Sequence, residues 1–437
     1  MAAALVVVAA GPASAARGPQ PGVVAELPVT AGDYARLHES GVKVVRLFMF
    51  TTDYNDVGFS DVVARLGALG IKPLFVVVGD VAHPPQTAAE ASAYAHFVAA
   101  RAAEFRGRVA GWEIWNEEDA PAWWAGAPPV DGVRRDAAGY TALLRATAPL
   151  VRRADRHAPV ILGGLTGNDY RFVADVYRHG GRGAFDAVGV HTDVGCDLAA
   201  PDGYLRDNNG RINQFSFLGY REVRRTMVAH GDARRPIWMT ELGWSTTTAV
   251  CDTGRSAGQK AGGVSEAEQA AYTAEAFHCL TFARYVTHAI VFELRDGARD
   301  ASQQRYGLVH ADGSAKPAWD AFSRYVHGGD TLRGPCGDFS APRIRILLPR
   351  RGKRFPRDLP ISVAATDGSG VPRITLLIDG RKIRNFTNPA APRTLRGFID
   401  WQGAKRLSPG RHIITVLALD RYRNTARRAV TVVKVKG

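Results

Sequence analysis

Along the first three quarters of the chain, near-continuous apolar runs alternate with longer Ala- and Arg-rich stretches of helical periodicity. VKVVRLFMF (42–50) precedes a helix near 60–69, KPLFVVV (72–78) a helix near 87–106, and VAGWEIW (109–115) a helix near 137–155. PVILGG (159–164), FDAVGVHT (185–192), RPIWMTEL (235–242) and HAIVFEL (288–294) follow, each separated by a helix candidate. Unbroken apolar strands between helices are what a parallel sheet covered on both faces requires. With a weak first strand at Val23–Leu27 the count reaches eight. No Gly-rich phosphate fingerprint follows that strand, so the pattern predicts a closed (β/α)₈ barrel rather than a doubly wound sheet. Helical patterning stops in HGGDTLRGPCGDFSAP (327–342), and short alternating strands such as RIRILL (343–348), ISVAAT (361–366), ITLLIDG (374–380), RHIITVLALD (411–420) and RRAVTVVKV (427–435) take over. The expected organisation is a barrel over 17–326, a linker over 327–342 and a small all-β sandwich over 343–437.

Composition changes this picture little, but the placement of charge divides the chain. Apolar residues at 46% and charged residues at 22% are ordinary globular values and exclude disordered, collagenous and membrane classes. The net charge is +14, yet residues 341–437 hold 22 Lys+Arg against 5 Asp+Glu, leaving 56 − 22 = 34 basic and 42 − 5 = 37 acidic residues before them. The β-rich part is therefore strongly basic and the barrel slightly acidic. At the start, AAALVVVAA (2–10) is too short to span a bilayer and leads into Ala13-Ser14-Ala15. The segment 1–16 is expected to be a signal peptide, although its basic n-region is missing, and the protein to be secreted or cell-wall associated. Four cysteines without CxxC spacing suit an oxidising compartment. Two disulfides are the simplest account and unpaired buried thiols the alternative. Of the three connectivities, the barrel favours Cys196–Cys251 between neighbouring loops and Cys279–Cys336 between the last two helical segments.

Barrel chemistry sits at the C-terminal ends of strands, and two of these ends carry a carboxylate. The fourth strand ends Trp112-Glu113-Ile114-Trp115-Asn116-Glu117, and the seventh ends Trp238-Met239-Thr240-Glu241-Leu242-Gly243-Trp244. Carboxylates emerging from apolar strands are costly unless paired or functional, and two facing one mouth suit glycoside hydrolysis. One must hold a proton at neutral pH while the other stays ionised, which separate environments achieve.

At these residues the sequence resembles glycoside hydrolase clan A, the retaining β-glycosidase barrels, within it the family 39 and family 5 type. Trp115-Asn116-Glu117 is similar to the clan's strand-four motif, which implies Glu117 as acid/base and Asn116 as the residue bonding the sugar 2-hydroxyl. Thr240-Glu241-Leu242-Gly243 is similar to its strand-seven motif, which implies Glu241 as nucleophile. Arg46 looks like the arginine that holds that nucleophile ionised, and Tyr306-Gly307-Leu308 through Lys316-Pro317-Ala318-Trp319 like the entry to the last helix. The resemblance covers about residues 23–326. Two places depart from it: His191-Thr192-Asp193 stands where the clan often reads His-x-Tyr, and Val291-Phe292-Glu293-Leu294 where it often ends in tryptophan. The last third of the basic part, with Gly410, Asp420 and Asn424-Thr425, resembles bacterial immunoglobulin-like modules.

Weaker candidates surround the pair. His191 and His83 stand at strand ends as pocket-lining residues or structural hydrogen-bonders. Glu113 is expected to be a buried partner, and Glu118 and Asp119 solvated loop charges. Trp123, Trp124 and Trp244 could stack on sugar rings, with core packing the competing reading; Trp115 and Trp244 are the substrate-binding candidates. The histidines lack metal-ligand spacing, so neither metal nor cofactor is expected. The expected partner is a carbohydrate; the basic module is either a contact for an anionic cell-wall polymer or acidic polysaccharide or an inert spacer with a solvated basic surface; nucleic acid and a membrane span are not expected, and the state is a monomer. Two function classes remain: a retaining glycosidase, endo or exo according to loops 193–215 and 244–264, and a non-catalytic polysaccharide-binding or adhesion protein on a decayed barrel.

Overall fold

A computed structural model describes residues 18–437 apart from 126–128, 131–132, 135, 193–199, 205, 208, 252–256, 302–303, 331, 333–335, 337, 339, 422–423 and 437. The proposed signal peptide and Cys196 lie outside the described residues. The chain divides into two units, Met1–Cys336 and Gly337–Gly437.

The first unit is a closed barrel of eight parallel strands: β1 Gln20–Val24, β2 Val44–Phe50, β3 Lys72–Val78, β4 Gly111–Asn116, β5 Val160–Leu165, β6 Ala187–His191, β7 Ile237–Leu242 and β8 Val286–Val291, with β1 paired to β8 and β2. Strands β4, β5, β6 and β7 are buried at every position, as strands covered by helices outside and side chains inside must be. β1 starts three residues earlier than its apolar run suggests, because Leu27 is followed by Pro28 and the pairing with β2 and β8 is already made by Gln20–Val24. Helix starts are written locally. Thr30, Thr87 and Ser265 each open a helix by accepting the N3 amide, while Asp33, Glu90 and Glu268 reach back to the cap. The last helix, Pro317–Gly328, starts with the proline at its first position. Among the described residues no helix is long and apolar enough to cross a membrane.

The expected Cys279–Cys336 disulfide is present, with Cα atoms 5.1 Å apart. Cys251 is also disulfide-bonded, so the unpaired-thiol alternative does not hold for these three.

The second unit contains β9 Arg343–Leu348, β10 Arg354–Phe355, β11 Leu359–Thr366, β12 Arg373–Ile378, β13 Arg381–Thr387, β14 Thr394–Trp401, β15 Gly410–Leu419 and β16 Thr425–Lys434. A three-stranded sheet in the order β9-β11-β14 and a five-stranded sheet in the order β10-β16-β15-β12-β13 share one core, in which Ile361 and Val363 of the first meet Ile374, Ile414 and Val416 of the second. Two of these strands are illegible from the pattern. β13 is an edge strand of mostly exposed polar residues, and β14 is broken by Gly397. What creates β13 is the turn before it: Asp379 and Gly380 both take positive φ, 48° and 80°, the geometry that folds a two-residue hairpin. Ile414 is fully buried between the two sheets. Ile414→Ala should therefore lower the unfolding free energy of the second unit by about 2–5 kcal/mol, read from its denaturant transition.

Candidate active site

The site is built around one buried arginine. Arg46 lies at the third position of β2, a strand whose parity turns Arg46, Phe48 and Phe50 the same way. Its side chain is fully buried and donates through Nε to Glu113 Oε2 (2.7 Å), through Nη1 to Glu241 Oε1 (2.5 Å) and through Nη2 to Asn116 Oδ1 (2.7 Å). Burial alone would depress its pKa, but Glu113 and Glu241 outweigh this and raise it. Glu113 is the buried partner expected, and its second oxygen accepts from the Gly164 amide at 2.8 Å, tying β2 and β4 to β5.

Strand alternation would send neighbouring Asn116 and Glu117 to opposite faces. The backbone breaks that alternation. Trp115 and Glu117 both adopt left-handed φ, 72° and 46°, sparsely populated for residues with a side chain. The distortion is held by Glu117 N donating to Gly164 O (2.8 Å) and by the Trp115 indole donating to Trp123 O (2.7 Å). As a result Asn116 reaches Arg46 while Glu117 reaches His191, its Oε1 lying 2.9 Å from Nδ1. His191 pairs in register with Glu241 across β6 and β7, and its Nδ1 is 3.7 Å from Glu241 Oε2. β5 comes close enough because it carries Gly163 and Gly164: a Cβ on the first would collide with Glu118 Oε2 and on the second with His191 Nε2.

The two carboxyls meet but differ in surroundings. Oxygens of Glu117 and Glu241 and a nitrogen of His191 all lie within 4.8 Å of one another. Burial raises the Glu117 pKa to about 7 against the opposing pull of Arg46 and a hydrogen bond from Trp123. Glu241 has a guanidinium on one oxygen, which favours its carboxylate form. Burial lowers the His191 pKa to about 4, so the imidazole is neutral and its contacts are hydrogen bonds rather than ion pairs. Three such ligand atoms could hold a metal ion, but a cation placed among them would face the Arg46 charge bonded to Glu241, so the set suits proton chemistry better. In the second unit, ligand atoms of Asp338, Asp367 and Asp420 also lie within 4.8 Å of one another.

Several expectations need correction. Glu118 and Asp119 are not solvated loop charges: they are 0% and 3% exposed. Burial pushes both pKa values well up, aided for Glu118 by Asp119 and for Asp119 by Asp169. Trp115 is fully buried against Tyr94 and Trp124 on the helix side of the barrel, and so is no sugar platform. Trp244, 1% exposed, packs on Phe217 and Tyr272 as a core residue, and Trp124 is buried too. His83 is exposed and pairs with Asp80, away from the carboxyl pair. Trp123, half-buried, lines open space. It stacks on Phe48 at 5.8 Å beside a cavity of about 460 Å³ that also takes in Phe50, Phe292, Glu26 and Glu293. Sequence reasoning missed Phe48 and Phe50, although their shared parity with Arg46 was visible. It met Phe292 and Glu293 only as a departure from tryptophan.

No family model matches the chain, and neither does any curated protein. Solved structures do. A family 39 glycoside hydrolase from the gut symbiont Bacteroides cellulosilyticus superposes with a TM-score of 0.56 at 18% identity, covering 88% of this chain and 80% of that one. A glucosidase from Croceicoccus marinus gives 0.52 at 13% identity over 89% and 95% of the two chains. A monomeric β-xylosidase from Caulobacter crescentus gives 0.51 at 16% over 90% and 96%. At these identities the likeness is one of fold, and it agrees with the (β/α)₈ barrel that the strand count predicts.

Removing the guanidinium would leave Glu113 and Glu241 buried without a counter-charge. Arg46→Met should therefore destabilise the barrel by about 3–5 kcal/mol, measured by equilibrium unfolding at pH 7.

Proposed function

We propose that the protein is a retaining glycoside hydrolase that cleaves O-glycosidic bonds of an oligo- or polysaccharide by double displacement, with Glu241 as nucleophile and Glu117 as acid/base. The observation that carries this reading is the pair itself: two carboxyls from β4 and β7 with oxygens within 4.8 Å, in environments of opposite sense. Nearest oxygens this close support direct attack on the anomeric carbon by one carboxyl, whereas inversion sets the two carboxyl groups roughly 6.5–9.5 Å apart to fit a water between them. The fold-level neighbours that act on β-xylosides or glucosides point the same way.

In this mechanism Glu241 Oε2, the oxygen not bonded to Arg46, attacks the anomeric carbon. Glu117, protonated below about pH 7, gives its proton to the leaving oxygen. A glycosyl ester forms on Glu241, and negative charge appears on Glu117, where the neutral His191 can donate through Nδ1. Glu117 then takes a proton from the incoming water, which releases the sugar with its original anomeric configuration. Asn116, held by Arg46 through its oxygen, keeps its amide nitrogen for the substrate. An intact carboxyl pair and an Arg46 bonded through all three nitrogens argue against a decayed, purely binding barrel. We also propose export, which the disulfides suit, and an immunoglobulin-like basic module that contacts anionic polymer through residues such as the exposed Arg381, Lys382 and Arg384.

Two outcomes test the reading. Glu241→Ala should lose at least about a thousandfold in kcat on an aryl β-glycoside and recover with azide, giving the α-glycosyl azide, whereas a first-formed sugar of inverted anomeric configuration by NMR would sink double displacement. The kcat/KM profile should fall as pH rises through about 7, because Glu117 must enter the first step protonated; in Glu117→Gln that limb should vanish on substrates whose leaving group needs no acid.

A further inference from the structure

A cavity at the ends of β1, β2 and β8 is walled by two kinds of residue, and Glu241 is near enough to act on one of them, Glu293. Phe48, Phe50, Trp123 and Phe292 supply flat apolar faces, with Phe48 stacked between Phe50 and Trp123 at 5.8 Å from each. Every charged residue lining it is acidic: Glu26 just after β1, Asp53 after β2, and Glu293 after β8; none of the described lining residues is basic. Arg46 lies beneath Phe48 but is spent on Glu113, Glu241 and Asn116.

Glu293 is the unusual member. It is 3% exposed, lines the cavity, and makes no hydrogen bond or ion pair through its carboxyl among the described residues. An enclosed carboxyl that bonds to no protein group costs free energy above all when it is ionised. The groups facing it are Glu26, Glu241 and Asp296, all of which oppose its ionisation, and Lys316, whose ammonium is already bonded to Asp296 at 2.8 Å. Burial above all, and then these three acids, raise its pKa to about 9. A nearby neutral sugar would find one more hydroxyl-bonding group there. A cation would find the carboxyls of Glu26, Asp53 and Glu293, with the one ammonium acting on Glu293, that of Lys316, already bonded to Asp296, and aromatic faces that attract it as well.

We propose that this cleft is a subsite for an amino sugar with a free amine, a 2-amino-2-deoxyhexose unit whose nitrogen is bound between Glu293 and Glu26 while its ring lies against Phe48 and Trp123. The assignment rests on the glycosidase reading and names the substrate class of the same site: a β-linked, N-unsubstituted amino glycan. The proton balance is internal. Glu293 enters as the neutral acid, the amine as the free base, and transfer of the one proton gives a carboxylate–ammonium pair that Glu26 flanks. An N-acetylated sugar cannot take that proton, and its acyl group would leave Glu293 facing no cation.

Calorimetric binding to the full chain tests this without requiring turnover. At pH 7 and low salt, a β-1,4-linked glucosamine tetramer should bind at least about tenfold more tightly than the N-acetylglucosamine or glucose tetramer of the same linkage, with the advantage shrinking in 1 M salt. Glu293→Gln should abolish the preference, bringing the amino tetramer down to the affinity of the neutral ones. Glu26→Gln, an exposed position that does not threaten folding, should reduce it several-fold. Equal or weaker binding of the amino tetramer, or an unchanged preference in Glu293→Gln and Glu26→Gln, overturns the proposal. Turnover separates it from the reading beneath: neutral β-glycosides hydrolysed without amino preference leave the hydrolase and remove the subsite, whereas amino-selective binding with no hydrolysis of any β-glycoside keeps the subsite and removes the hydrolase.

Discussion

The architecture of the barrel mouth depends on the buried Arg46 guanidinium. It is a charge taken out of water, and its three bonds to Glu113, Glu241 and Asn116 are what make that tolerable. Because those partners come from two other strands, the same bonds fix where β2, β4 and β7 end relative to one another. Glu113 extends the tie to the Gly164 amide of β5. The arrangement leaves one oxygen of Glu241 and the amide nitrogen of Asn116 outside the guanidinium's bonds, the groups a substrate at this mouth would meet. A planar five-donor cation can satisfy three acceptors at once in fixed directions, which a lysine could not.

Backbone strain does the second part of the work. Left-handed Trp115 and Glu117 cost on the order of 1–3 kcal/mol each, and they hold because Gly163 and Gly164 let β5 come close and because Trp115 locks into an apolar pocket behind the strand. The reward is that Asn116 and Glu117, neighbours in sequence, both reach the same mouth. The environments then diverge. Glu117 stands half-buried beside a neutral histidine, and Glu241 stands on a guanidinium. Behind Glu117, the buried Glu118 and Asp119 add further carboxyls whose burial favours the protonated form.

Much of this was legible in the sequence. Near-continuous apolar runs between helical stretches gave eight strands and hence the barrel, because a strand buried on both faces can carry almost nothing polar. That scarcity made Arg46, Glu113, Asn116, Glu117, His191 and Glu241 visible. Each is a polar residue where the pattern calls for an apolar one, and the structure brings all six into one connected cluster. The basic module was legible for a different reason, as a change in period and charge at one boundary.

Tertiary structure alone decided the rest. Glu118 and Asp119 read as loop charges because exposure of a loop residue depends on what folds over it, and here the loop turns back into the barrel wall. Trp115 and Trp244 read as substrate-binding residues because an indole suits core and surface equally; which one it faces follows from a broken alternation in one case and packing on Phe217 and Tyr272 in the other. Glu293 carried no signal beyond the absence of a tryptophan, since its isolation arises from Glu26, Glu241, Asp296 and Lys316, groups scattered across the barrel sequence. The sequence by itself determined which residues are polar within apolar strands. Which of them are paired, which are left with a proton and which face open space is a property of distances between strands, and no local pattern encodes those.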